Sequence, residues 1–251
     1  MDELADLARE QEAFAGLLHR VGGDEWERPS AAAGWTIRDQ VAHLADTEEV
    51  AADTLTGGAR SFAEAVSAYQ TAEQFTAAGC RRGDGRSPAE LVAWWAGASA
   101  RTRDLLAGRD PQERVAWGFG MSTRTFVTAR LMEHWAHGLD IADPLAIPTT
   151  EAPRLRHVAA LGLATLRYAL AVARVPWPAG RTLRLELVGA DGARYELGPS
   201  DATDVLSGSL LGWCRVATRR AGRLGAAGEP GALTASGELA DLAMAHARAY
   251  L

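Results

Sequence analysis

The segment from Ser122 to Pro144 constrains the fold most, because two different stripes share one helical period. Val127, Leu131, Trp135 and Gly138 recur on one face. Phe126, Arg130, Glu133, His137 and Asp140 recur on another, at i, i+4, i+7, i+11 and i+14. A stripe that mixes Phe with balanced charges is not typical solvent decoration, and it suits the wall of a polar cavity inside a helical bundle. Glu133 and His137 stand one turn apart on it. A carboxylate and a neutral imidazole so placed are two ready ligands for a borderline divalent metal such as zinc. Asp140 is positioned to hydrogen-bond the imidazole nitrogen turned away from that metal. The competing reading is a solvated polar stripe. His134 lies off the stripe and ranks below His137 as a ligand.

The rest of the chain divides by texture. Helical spacing covers 3–21 and stops at Gly22-Gly23. Thr36-Ile37-Arg38-Asp39 is a capping box that opens a second helix, expected to reach Leu55, with His43 two turns inside it. A lone histidine there reads first as a core residue, and Asp46, Glu48 and Glu49 beside it read as either partners or a wet face. A looser helix is expected over 61–78. Ser87-Pro88-Ala89-Glu90 starts another that ends near Gly108, and Trp94 and Trp95 on it point to different faces. Trp117 to Met121 reads as an aromatic loop, and a further helix is expected from Leu155 to about Arg174. Alternation in Thr182–Val188, a turn at Ala190–Ala193 and then Arg194–Leu197 signal a β-hairpin. An amphipathic helix is expected from about Asp201 to Arg223, then a short strand at Ala232–Ser236 and a closing helix from Leu239 to Tyr250. Helices followed by strands mixed with helices predict two domains, all-α and then α+β. The expected bounds are 1–150 for the bundle, 151–178 for a connecting helix and linker, and 179–251 for the α+β domain.

Length and charge narrow the function. A chain of 251 residues can bury one large core or two smaller ones. The net charge of −6 offers no general attraction to phosphate backbones, so nucleic acid is not an expected partner. All 26 basic residues are arginine. The acidic start Met1-Asp2-Glu3 lacks a signal-peptide layout, and no apolar run is long enough to cross a bilayer. The isolated cysteines, Cys80 and Cys214, indicate neither a disulfide framework nor a thiolate cluster. A cytoplasmic protein, monomeric or homodimeric and without a membrane partner, is the expectation.

Three segments together resemble a known family. Gly34-Trp35-Thr36-Ile37-Arg38-Asp39-Gln40-Val41-Ala42-His43-Leu44 is similar to the signature GWTVRDVVAHL of the mycothiol-dependent maleylpyruvate isomerases. These belong to a DinB-like superfamily of metal-binding four-helix bundles. The stretch around Glu133 resembles that family's second metal segment. The tail from Leu197 through Thr218-Arg219-Arg220 to Gly237 resembles a sterol-carrier-like α+β domain found in the same group. The resemblance spans nearly the whole chain and is nearest to an actinobacterial subgroup described only as metal-binding.

It implies a DinB-like four-helix bundle followed by a small sterol-carrier-like α+β domain. It also implies that His43 joins Glu133 and His137 as a third metal ligand, a link across some ninety residues that helical spacing does not supply. Three protein ligands leave a position open for water or substrate, as in catalytic zinc sites. In such an enzyme a divalent cation, most simply Zn2+, holds the thiol of mycothiol as thiolate. Thiolate addition to the conjugated double bond of a small electrophilic acid, rotation and expulsion give cis–trans isomerisation; retention gives an S-conjugate. Arginine suits the substrate's carboxylates because it binds them bidentately. Arg130 is the candidate beside the metal pair, with Asp140 in support. Arg215, Arg219 and Arg220 are candidates for cofactor binding, with a structural role as the alternative. Two other functional readings stand beside this one: a metal-carrying module whose second domain shelters an apolar ligand, and a thiol-independent tailoring enzyme.

Overall fold

The computed structural model describes residues 1–221 and 232–250, in two compact units, Met1–Thr149 and Thr150–Leu251. Four long helices build the first: α1 (Asp2–Leu18), α2 (Ile37–Thr56), α5 (Pro88–Leu106) and α6 (Thr123–Ala142). The short helices α3 (Phe62–Ser67) and α4 (Ala72–Arg81) lie between α2 and α5 in the chain. Helix α2 packs along α5, and α1 along α6. The starts obey local chemistry. Asp39 Oδ2 accepts from Thr36 N at 2.8 Å, and Glu90 Oε2 accepts from Ser87 N at 2.7 Å, so both capping boxes close. Between the helices Phe14, Leu18, Trp26, Ile37, Val41, Leu44, Leu91, Trp95 and Ile141 form one buried cluster. Trp95 is buried there while Trp94 is only partly covered, the division their spacing predicts.

Two departures from expectation in this unit have local causes. The run 61–78 is broken into α3 and α4, because Thr71 accepts from Gln74 N at 3.2 Å and starts a new helix midway. The aromatic loop is the turn of a small hairpin, β1 (Arg114–Val115) paired with β2 (Met121–Ser122). Its Trp117 packs on Phe62 and Phe126, with ring centroids 4.5 and 5.3 Å away, and so fills a gap between helices.

The second unit opens with α7 (Leu155–Ala164) and α8 (Leu166–Val172). One helix was expected here. The pair bends by 51° where Thr165 Oγ1 donates to Leu161 O at 2.8 Å, a back-bond that bends helices. Segment 151–178 therefore packs as part of this unit, with α7 against α9 (Leu210–Ala217). Strands β3 (Leu183–Val188), β4 (Arg194–Leu197), β5 (Asp204–Ser209) and β6 (Leu233–Ser236) form a sheet in the order β4-β3-β5-β6. Only β3 and β5 run parallel. Leu183, Leu185 and Leu187 alternate inward, and helix α10 (Glu238–His246) packs on β5 and β6.

The helix expected from Asp201 is corrected: residues Asp204–Ser209 are a strand, and α9 begins only at Leu210. Six residues pair in register with β3, from Leu183 opposite Asp204 to Val188 opposite Ser209. That pairing satisfies the backbone in the sheet's interior and overrides local helical spacing. Ser209 is the true cap of α9, accepting from Gly212 N at 3.2 Å. The expected end of that helix at Arg223 lies outside the described residues. Among the described residues no single helix is long and apolar enough to cross a membrane.

Candidate metal centre

Two helices of the first unit bring the candidate ligands together. Helix α6 presents Glu133 and His137 one turn apart, and His137 Nε2 lies 3.1 Å from Glu133 Oε2. Helix α2 presents His43, whose ring centroid is 4.8 Å from that of His137. One ligand atom from each of the three lies within 4.8 Å of the others. Donors about 2.1 Å from a tetrahedral ion stand roughly 3.4 Å from one another, so small side-chain movements bring this set to bonding distance. The histidines are buried and Glu133 is partly buried. Burial pushes the Glu133 carboxyl up, but the hydrogen bond and charge of His137, then Arg130 and His43, outweigh it and hold the group well below the usual carboxylate range. Two imidazoles and an ionised carboxylate are a zinc-type donor set, and the residues present fit a divalent metal.

The surrounding groups differ from the sequence expectation in instructive ways. Asp140 Oδ2 is 3.5 Å from His137 Nδ1, whereas Gln40 Oε1 is 2.5 Å from the same nitrogen. Gln40 thus holds the nearer place foreseen for Asp140. Trp35 forms an aromatic wall: its ring stacks on His137 at 6.1 Å and 6° and meets His43 edgewise at 5.0 Å. The loop that carries it is tied to α6, since Ala31 N donates to Asp140 O at 2.9 Å. Neither Gln40 nor Trp35 stood out by type. The signal that finds Gln40 is its place one turn before His43, on the same face of α2.

Arg130 is not an open clamp for a substrate carboxylate. It is buried, its Nε donates to Glu48 Oε1 at 2.8 Å and its Nη2 donates to Thr47 Oγ1 at 3.1 Å, while its guanidinium lies over Trp117. The acidic run after His43 is likewise no wet face. Glu48 is fully buried, and Asp46 is buried and paired with Arg60 and Arg82. His134 lies beneath the site. Trp95 Nε1 donates to its Nε2 at 3.0 Å, so its Nδ1 carries the hydrogen and donates to Arg130 O at 2.8 Å. Burial, the leading cause, takes this imidazole down to about 4 and keeps it neutral.

Arg215, Arg219 and Arg220 belong to the second unit, at the end of α9. Each donates to a backbone carbonyl: Arg215 to Arg220 O, Arg219 to Ala245 O and Arg220 to Thr218 O. These contacts suit cations at a helix C-terminus. Cys80 is buried beside Asp39 and Asp46, and burial and those charges push its thiol up to about 12, which leaves it unreactive.

Comparison with known proteins places this arrangement. Residues 7–142, which contain all three candidate ligands, match the family described as "Mycothiol maleylpyruvate isomerase N-terminal domain". The chain belongs to this family. Two uncharacterized proteins from different strains of Mycobacterium tuberculosis are each 37% identical over 219 residues, 86% of this chain and 84% of theirs. The crystal structure of the mycothiol-dependent maleylpyruvate isomerase is similar with a TM-score of 0.58 at 20% identity, covering 91% of this chain and 93% of that one. A histidine-to-alanine mutant of that isomerase gives 0.56 at 20% identity, covering 88% and 89%. At such identity the likeness shows the shared fold, a mostly helical region followed by a small sheet-containing one.

Proposed function

We propose that this chain is a metal-dependent, mycothiol-assisted isomerase or thiol S-transferase acting on a small electrophilic acid of the maleylpyruvate kind. The observation that carries the reading is the convergence of His43, Glu133 and His137 within 4.8 Å, inside the segment that matches the family. His43, Glu133 and His137 would hold the ion, with zinc the best fit to two imidazoles and a carboxylate. When bound, a divalent ion favours the ionised form of a thiol beside it. Around it the chain's own groups bind and orient. His137 does most to keep the Glu133 carboxylate ionised, and Arg130, fixed by Glu48, adds its positive charge to that effect. Trp35 covers both imidazoles with an apolar ring and excludes water from that side. Mycothiol and a conjugated double bond are the reactants this reading requires; expulsion of the added thiol gives isomerisation, and its retention gives the conjugate.

Purified protein is expected to carry about one zinc per chain by elemental analysis, and His43→Ala and Glu133→Ala to lose it. Metal-loaded protein, mycothiol and a panel of conjugated cis-diacids, followed by mass spectrometry, should yield the trans acid or the S-conjugate. Metal-free wild type with full activity would overturn the reading.

A further inference from the structure

The hydrogen-bond chain behind His137 runs in one direction, and its far end fixes that direction. Ser30 Oγ donates to a backbone carbonyl, Trp35 O at 3.0 Å, which can only accept. Having used its single hydrogen, the hydroxyl must accept from Gln40, and Gln40 Nε2 lies 2.8 Å away. The amide's other end is then its oxygen, and Oε1 meets His137 Nδ1 at 2.5 Å. An oxygen there requires the hydrogen on Nδ1. Nε2 is therefore the nitrogen that a cation can take by displacing a proton, and it is the one that meets Glu133 Oε2 at 3.1 Å.

We infer that Gln40 is the positioning residue of the metal centre: its amide oxygen, oriented by Ser30, sets the tautomer and ring plane of His137 so that Nε2 is presented to a divalent cation. This rests on the metal reading above. Gln40 is fully buried, so the amide is shielded from water that would compete for both of its bonds. Asp140, at 3.5 Å from Nδ1, is at the outer limit of a hydrogen bond and plays the lesser part. A neutral amide in this place has a chemical consequence. It withdraws less proton density from Nδ1–H than a carboxylate does, so the imidazole is a weaker donor and the bound cation a stronger Lewis acid than with a carboxylate behind it.

The test uses Gln40→Val, with the apolar residue that the resembled signature has at this place, and Gln40→Glu, which keeps an acceptor. Two quantities are read: zinc affinity by chelator competition, and the His137 tautomer in metal-free protein by long-range 1H–15N spectra above pH 8. Q40V is expected to weaken zinc binding by about 10–100-fold, the usual effect of losing such a partner, and to let the Nε2–H tautomer of His137 appear. Q40E is expected to keep the Nδ1–H tautomer and bind zinc at least as tightly as wild type. Ser30→Ala removes only the hydroxyl that orients the amide and should move both quantities in the direction of Q40V. Wild-type affinity and an unchanged tautomer in Q40V, or a larger loss in Asp140→Asn than in Q40V, would overturn the assignment. If wild type itself fails to bind zinc, the metal reading falls, and the tautomer still decides whether Gln40 sets the ring.

Discussion

The ion pair between Arg130 and Glu48 carries a large desolvation cost, since both groups are almost fully withdrawn from water. Burying two charges is offset only while both remain, and removing one strands the other. Arg130→Met is therefore expected to destabilise the protein by about 3–5 kcal/mol in urea denaturation. The joint change with Glu48→Met should recover much of that loss, because no stranded charge is left. A single-variant loss under about 1 kcal/mol would show that the pair contributes little. Both variants can still be assayed for zinc, which separates this supporting role from the ligand role proposed for Glu133.

At the scale of elements, Asp204 and Gly162 carry the tests. Asp204 begins β5, and its buried carboxylate takes Leu239 N at 2.6 Å and Arg181 Nη1 at 3.1 Å, joining the start of α10 to the sheet. Burial pushes this carboxyl up, but the Leu239 amide, Thr203 and Arg181 outweigh it and hold it below its ordinary value of 3.8. A depressed carboxylate stabilises the fold above its unfolded value, and that contribution fades as pH falls from about 4 through the lower folded value. Acid melts should show Asp204→Asn less stable than wild type at pH 7 and the gap closing below pH 4; a gap that persists there would count against the linkage. On the neighbouring helices, a Cβ added at Gly162 would meet Ala217 Cβ at 2.6 Å, so α7 and α9 cross at glycine distance. Gly162→Ala is expected to cost about 1–3 kcal/mol by overpacking, measured as a lowered urea midpoint with unchanged slope. These elements also show what a sequence discloses. The caps at Thr36 and Ser87 and the pair Glu133–His137 are local, decided within one turn, and are legible directly. Strand β5 is not legible from its own residues, whose spacing suits a helix, because its pairing with β3 decides it. His43 joins the site only through the family resemblance, and Gln40 is marked only by its place one turn before His43, since its partner lies 97 positions away.

For the whole molecule, one compact unit holds all three candidate ligands and the other holds the four-stranded sheet. A ligand that binds only the folded state stabilises it by about 2.7 kcal/mol at a concentration of 100 Kd. Zinc should accordingly slow hydrogen exchange most in α2 and α6, the helices that it would cross-link, and chelation should restore it. Equal protection in β3 and β5 would mean that the effect is general and not a property of the centre. Trp35 gives the same event an optical face. Its indole lies 5.0 Å from one candidate ligand ring and 6.1 Å from the other, so a paramagnetic ion such as Co2+ or Cu2+ at the centre would sit close enough to quench its emission. Trp35 is thus also an unlabelled fluorescent gauge of the site's occupancy, and replacing it, one of eight tryptophans in the chain, with phenylalanine should weaken the quenching.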